Sequence, residues 1–253
     1  MRTITTSTLA PKTARTLRFL AIAIAAVIVL SGCAGGFGGD GGFRGDNVRI
    51  NAASAAAPGT NELMIPELLE PTVVGGVNTF DLSLGPSSHD FGTGVLADTI
   101  AYNDQPILGP TLRWPSGTDV ELRVTNHLEE ATTAHWHGAD VPAEDDGGPH
   151  SRIDPGQTWI ADFPVIQPAA TLWYHPHLMG TSAEQVFYGA AGMIIVDDDN
   201  PAAVDLPRTY GVDDIPVILQ DREFTADGQL SFEIDADDNG DLNPDLTVNG
   251  TTD

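Results

Sequence analysis

The chain has 253 residues, enough for one large domain or two modest ones, and its hydrophobic content of 41% is ordinary for a globular protein. The formal net charge is −25, from 11 lysines and arginines against 36 acids. A surface this negative repels nucleic-acid phosphates, which excludes a nucleic-acid-binding function. It suits cationic or metal-ion ligands, although a solvated surface adapted to high salt is the plainer interpretation.

The first 33 residues have the pattern of a bacterial lipoprotein signal peptide. Residues 1–18 contain four cations and no acid, and the apolar run Phe19–Leu30 follows. This run leads into Leu30-Ser31-Gly32-Cys33, which resembles a lipobox, where the cysteine is lipidated. We therefore expect residues 1–32 to be a signal peptide. The alternative is an uncleaved membrane anchor, for which about 20 apolar residues are needed.

Lipidation of Cys33 predicts an extracytoplasmic protein, held by its acyl chains at the outer face of the cell membrane. Cys33 is the only cysteine, so an intrachain disulfide and a cysteine-based zinc cluster are both excluded. The glycine-rich segment that follows predicts a flexible tether over residues 33–60.

Strand signals recur from Pro66 onward about every ten residues, bounded by Gly, Pro, Asn and Ser. The run Val120–Val124 alternates apolar and polar residues, as a strand with one buried face does. No stretch has the pattern of a long amphipathic helix. Many short strands predict an all-β fold, a Greek-key β-sandwich over residues 61–198. Its predicted strands are Thr79–Leu84, Thr111–Trp114, Asp119–Thr125, Thr133–His137, Trp159–Phe163, Thr171–His175 and Ala191–Val196.

A second unit is expected over residues 199–253. It follows a polar break at Asp197–Pro201, and Ile215–Gln220 and Gly228–Ile234 are its predicted strands. About 50 residues are too few for a stable sandwich of their own. We therefore expect this unit to be the truncated beginning of a further domain.

Four of the seven histidines form two His-x-His pairs, His135-Trp136-His137 and His175-Pro176-His177. Residues i and i+2 of a strand project from the same face, so each pair offers two imidazoles to one side. Neutral imidazole is a common ligand of copper and zinc. The two pairs would converge if their strands are neighbours, which predicts a metal site. The alternative is four unrelated histidines.

The sequence around both pairs resembles the first two copper motifs of the multicopper oxidases. Ala134–Gly138 with Asp145–Pro149 resembles the first motif, and Leu172–Leu178 resembles the second. Gly192–Val196 is similar to the strand that closes the family's first cupredoxin domain. The resemblance covers residues 62–253 and is nearest to the bacterial cuprous oxidases, the laccase-like enzymes and the bilirubin-oxidase type. It implies a first cupredoxin-like domain at 61–198 and the start of a second.

The resemblance also implies a role for each histidine. His135 would bind the type 2 copper, His137 and His175 would share one of the two type 3 coppers, and His177 would bind the other. Asp146 would act as a catalytic proton relay beside this trinuclear cluster, the alternative being an ordinary loop carboxylate. The partners implied are dioxygen, reduced to water by four electrons, and a small reducing substrate, either a phenolic compound or Cu(I).

The family pattern is incomplete in this chain. An electron-entry (type 1) copper needs a thiolate, and no cysteine follows Cys33; no histidine motif follows His177. Half of the cluster ligands and the whole type 1 site are absent from these 253 residues. We therefore expect the amino-terminal portion of a multicopper oxidase, inactive by itself.

Three other interpretations remain open. One is a non-catalytic copper-binding lipoprotein module, such as a copper buffer. Another is a zinc hydrolase, although no His-Glu-x-x-His motif supplies a general base. The segment Asp235–Asp241 begins like a calcium-binding EF-hand loop, but the twelfth position is Leu246 instead of the bidentate glutamate, which favours an acidic turn.

Overall fold

The computed structural model describes residues 61–197, 206–233 and 243–252. The expected signal peptide, Cys33 and the expected tether up to residue 60 lie outside the described residues. The segment Asp235–Asp241, which begins like an EF-hand loop, also lies outside them. In the described part no helix has the length and apolar character needed to cross a membrane.

Two mixed β-sheets form the body of the structure. The first contains, in spatial order, β1 (Leu68–Leu69), β5 (Thr111–Pro115), β10 (Gly192–Asp197), β9 (Ala170–His175) and β7 (His135–His137). The second contains β2 (Thr72–Val74), β3 (Val77–Asp90), β6 (Asp119–Asn126) and β8 (Thr158–Pro164), with β4 (Leu96–Tyr102) also paired to β3. Successive strands from β5 to β9 alternate between the sheets, so the predicted Greek-key sandwich of cupredoxin type is confirmed.

The hydrophobic core lies between the sheets and follows the alternation of the strands. In β6 the side chains of Val120, Leu122 and Val124 are fully buried, while the residues between them are more exposed. Trp136 and Tyr174 contribute the facing layer from the first sheet, with no exposed surface. Burial of each such side chain contributes on the order of 1.5–3 kcal/mol. Because side chains alternate, the neighbours of Trp136 and Tyr174 point away from the core.

The seven predicted strands of the sandwich are confirmed; most ends shift by one or two residues, but β3 continues six residues beyond the predicted end at Leu84, to Asp90. The structure adds β1, β2 and β4. The sequence analysis missed β4 because its buried face includes the small residues Ala97, Thr99 and Ala101. It also adds one short helix, α1 (Ser182–Phe187).

The structure departs further from the prediction in residues 206–252. The paired strands there are β11 (Leu219–Arg222) and β12 (Asp245–Val248), so Ile215–Gln220 was placed too early. The predicted strand at Gly228–Ile234 is wrong over its described residues. Gly228 lies in a turn at φ +83°, and Leu230 makes only an isolated bridge with Phe224.

Candidate metal centre

The outer face of the first sheet brings the two histidine pairs together. Strands β7 and β9 are antiparallel neighbours, and their register places His135 opposite His175 and His137 opposite Trp173. Trp136 and Tyr174 fill the core, so the histidines on either side project to the other face. Trp136 therefore packs on the side of the strand opposite the histidines.

Three of the predicted ligands form a compact group. Ligand nitrogens of His135, His137 and His175 all lie within 4.8 Å of one another. His137 Nδ1 and His175 Nε2 are 3.1 Å apart. Two metal–nitrogen bonds of about 2.0 Å that meet at about 100° span the same distance, so one ion fits between these two atoms.

His177 stands slightly apart from that group, after the end of β9. Its ring centroid is 5.1 Å from that of His135 and 6.1 Å from that of His175. The backbone N–H of His177 donates to Thr133 Oγ1 at 2.6 Å, which fixes the chain at this point. All four predicted histidines therefore lie around one small region of the surface. Of the described groups, only three are close enough to share one ion.

Backbone carbonyls determine which ring nitrogen of His135 and His175 is able to bind a metal ion. A carbonyl oxygen only accepts hydrogen bonds, so a ring nitrogen that contacts it must carry the hydrogen. His175 Nδ1 donates to the carbonyl of Pro176 at 2.7 Å, and His135 Nδ1 donates to the carbonyl of Asp146 at 2.8 Å. Each contact leaves Nε2 without a hydrogen, so its lone pair can bind a metal; in His175 that nitrogen faces His137 Nδ1. Contacts of this kind orient metal-binding histidines and raise their basicity.

Electrostatics keep His175 neutral. Burial lowers the pKa of His175 to about 4, and the positive charge that the other three histidines can carry lowers it as well, against the opposing hydrogen bond to Pro176. A neutral imidazole is the form that binds metal. The donor set therefore fits a nitrogen-preferring ion such as Cu(II) or Zn(II).

Asp146 lies at the edge of the cluster. Its Oδ1 is 3.3 Å from His135 Nδ1, on the side of the ring that faces away from Nε2, and its side chain is 36% exposed. The neighbouring Trp136 Nε1 donates to the carbonyl of Asp145 at 2.9 Å. This loop can reach the strand because residue 147 is glycine: a Cβ there would lie 1.7 Å from the carbonyl oxygen of Ala134.

Sequence reasoning missed several contributors to the site. Trp173 lies within the second motif, which gives it no role, yet its ring stacks on that of His175 with centroids 3.9 Å apart. The carbonyls of Asp146 and Pro176 have no signature in residue type, so no sequence signal identifies them. The glycine pair after Asp146 was the one available hint of a close backbone approach.

Known proteins similar to this chain identify its family. A family model described as multicopper oxidase matches residues 86–201, a range that includes all four histidines. The multicopper oxidase mco of Staphylococcus aureus is 36% identical over 199 residues, which are 78% of this chain and 44% of that protein. The cell division protein FtsP of Salmonella typhimurium is 36% identical over 203 residues, 80% of this chain and 41% of that protein.

A solved structure gives the same result. The laccase-like multicopper oxidase of the lignin-degrading bacterium Ochrobactrum sp., described as active towards lignin model compounds, is 40% identical with a TM-score of 0.68. The alignment covers 76% of this chain and 42% of that one. The chain thus spans less than half the length of these relatives. Shared fold, matched range and sequence identity agree, and the chain belongs to the multicopper oxidase family.

Proposed function

We propose that this chain supplies half of the ligands of a trinuclear copper cluster. His135 binds the type 2 copper, His137 and His175 bind one type 3 copper, and His177 binds the other. The observation that carries this proposal is the 3.1 Å separation of His137 Nδ1 and His175 Nε2, because it suits two nitrogens on one ion.

The activity proposed is that of a laccase-like multicopper oxidase, which couples one-electron oxidation of a donor to the reduction of dioxygen to water. Copper, when bound, supplies the redox chemistry that carries four electrons to dioxygen. The chain's own residues hold and orient the site: the carbonyls of Asp146 and Pro176 keep the hydrogens of His135 and His175 on Nδ1. Asp146 is proposed as the proton relay beside the cluster, supported by its 3.3 Å distance from His135 Nδ1 and by its partly exposed side chain.

A phenolic compound is one candidate donor, as the activity described for the Ochrobactrum relative suggests. Cu(I) is the other. Turnover requires the remaining cluster ligands and an electron-entry copper bound by a thiolate. No histidine motif follows His177, and the one cysteine of these 253 residues is Cys33, the proposed lipidation site. We therefore expect no oxygen uptake by the 253-residue chain alone.

A second candidate function is a non-catalytic copper-binding lipoprotein module. The observation in its favour is that similar proteins include one described as a cell division protein, so membership of the family does not by itself establish oxidase activity. Oxygen uptake separates the two candidates. If donors are oxidised once the missing ligands are supplied, the oxidase is supported; copper binding without uptake in that complete form supports the module.

The proposed location is the outer face of the cell membrane, through acyl chains on Cys33. The sequence Leu30-Ser31-Gly32-Cys33 supports it. Labelled palmitate should be incorporated into the expressed protein and should be lost in Cys33→Ser. Equal labelling of both proteins would refute lipidation at this residue.

The ligand assignment is tested by metal content. Replacing His137 and His175 together with alanine should abolish copper retention after desalting. His150, an exposed histidine in the loop after the Gly-Gly-Pro turn, provides a matched control, because His150→Ala also removes an imidazole but leaves the cluster intact. Copper retained by the double variant at the level of the unmodified chain would refute the assignment.

A further inference from the structure

Trp173 provides a flat apolar surface against the two histidines assigned to one copper. It lies on β9, two residues before His175 and opposite His137 in the register with β7. Its ring stacks on His175 at a centroid distance of 3.9 Å and an interplanar angle of 25°, and on His137 at 5.1 Å and 30°. One indole ring therefore contacts both imidazoles.

These contacts matter most for His137. Its side chain is exposed, so the protein interior does not restrain it. In the described part of the chain, its ring makes a hydrogen bond to His175 and ring contacts with Trp173, His135 and His175. Of these hydrogen-bond and ring partners, Trp173 is the one that is not itself a predicted ligand.

The other surroundings of Trp173 form a cleft of about 580 Å³, lined mainly by apolar side chains. Met193, its cross-strand partner on β10, and Phe187 of α1 line the same cleft. The indole ring therefore contacts both imidazoles and also lines this cleft, which neither His137 nor His175 lines.

We propose that Trp173 is a positioning residue, whose indole ring holds His137 and His175 at the separation at which they bind one copper ion. The proposal rests on the ligand assignment above. Aromatic pairs of this geometry are stabilising beyond their buried area, and they fix ring orientation. Partners that orient metal ligands typically change metal affinity by about 10- to 100-fold when removed.

The test compares copper affinity in three variants of the whole chain, measured by competition with a chromophoric chelator. Trp173→Leu removes the flat ring and should weaken binding by about 10-fold. Trp173→Phe keeps an aromatic ring and should stay within about 3-fold of the unmodified chain. Met193→Ala is the matched control, because it removes a cleft-lining side chain from the neighbouring strand without touching an imidazole.

Electron paramagnetic resonance of bound Cu(II) provides the readout that a merely structural role would not move. Trp173→Leu should alter the nitrogen hyperfine pattern, and Trp173→Phe should restore it, at thermal midpoints close to that of the unmodified chain. Should Trp173→Leu fail to fold, Trp173→Ile, which also lacks a flat ring and suits a strand, takes its place in the same comparison of affinity and spectra.

The outcomes separate the two proposals. Equal copper affinity and identical spectra for the folded Trp173→Leu or Trp173→Ile variant and the unmodified chain would overturn the role of Trp173 and leave the ligand assignment standing. An unmodified chain that binds no copper would overturn both. Loss of affinity in Met193→Ala equal to that in Trp173→Leu would also overturn the role, since the effect would then belong to the cleft.

Discussion

Replacing Gly147 with alanine should damage both the stability of the protein and its copper binding. Gly147 has φ +70°, and an added Cβ would lie 1.7 Å from the carbonyl oxygen of Ala134, where contacts below 3.0 Å are not found. The left-handed backbone costs about 1–2 kcal/mol and overpacking about 1–3 kcal/mol. We expect the free energy of unfolding to fall by about 2–5 kcal/mol, measured by urea denaturation of the metal-free chain.

Copper binding should weaken in Gly147→Ala because the loop that carries Asp146 must move. Relief of the clash moves the loop by about 1.3 Å or more, which stretches the 2.8 Å contact between the Asp146 carbonyl and His135 Nδ1 beyond hydrogen-bond range, about 3.5 Å. His135 then loses the hydrogen bond that orients its ring and keeps the hydrogen on Nδ1, and copper affinity should fall by about 10-fold or more.

Gly156 supplies a matched control. Its φ is +75° and nothing lies within 4 Å of an added Cβ, so Gly156→Ala carries the backbone cost alone, about 1–2 kcal/mol. If the two variants lose the same stability and both keep full copper affinity, the close approach of the loop to the strand is not what orients His135.

Three further results are expected. Tyr174→Phe removes a buried hydrogen bond of 2.7 Å to the Pro110 carbonyl and should lower the free energy of unfolding in urea by about 1–3 kcal/mol. Copper affinity should not change, because the ring faces the core; a weakened copper site would contradict this. Arg222 is fully buried with two unpaired nitrogens, and burial lowers its pKa to about 10, so the buried group is still charged at pH 7. Arg222→Met should therefore unfold at an equal or higher urea concentration than the unmodified chain. A clear loss of stability would show that the aromatic contacts of Arg222 outweigh its desolvation cost. Burial lowers the pKa of His89, whose Nε2 donates to the Gly250 carbonyl, so protonation favours the unfolded chain and stability falls as the pH drops below about 6.5. Between pH 7 and pH 5, the thermal midpoint of His89→Gln should therefore fall less than that of the unmodified chain. An equal fall would show that His89 does not cause the loss of stability in acid.

The strand pattern could be predicted because alternation is a local property of the chain. The residue types of Val120–Val124 alone indicate a strand with one buried face. The spacing in His135-Trp136-His137 places both imidazoles on the face of the strand opposite the core. The same local reasoning failed where residue types mislead. The apolar residues after Gly228 suggested a strand, but the chain turns there and Leu230 packs into a small cluster with Phe91.

The sequence by itself determined the fold class, the family resemblance and the candidate ligands, since each depends on residue types at fixed spacing. Only the tertiary structure decided which histidines meet, because the register between β7 and β9 joins residues about 40 positions apart. It also decided which ring nitrogens are free, through the carbonyls of Asp146 and Pro176. Every residue carries a carbonyl, so its use in orienting a ligand leaves no trace in the sequence and follows only from where the folded backbone passes.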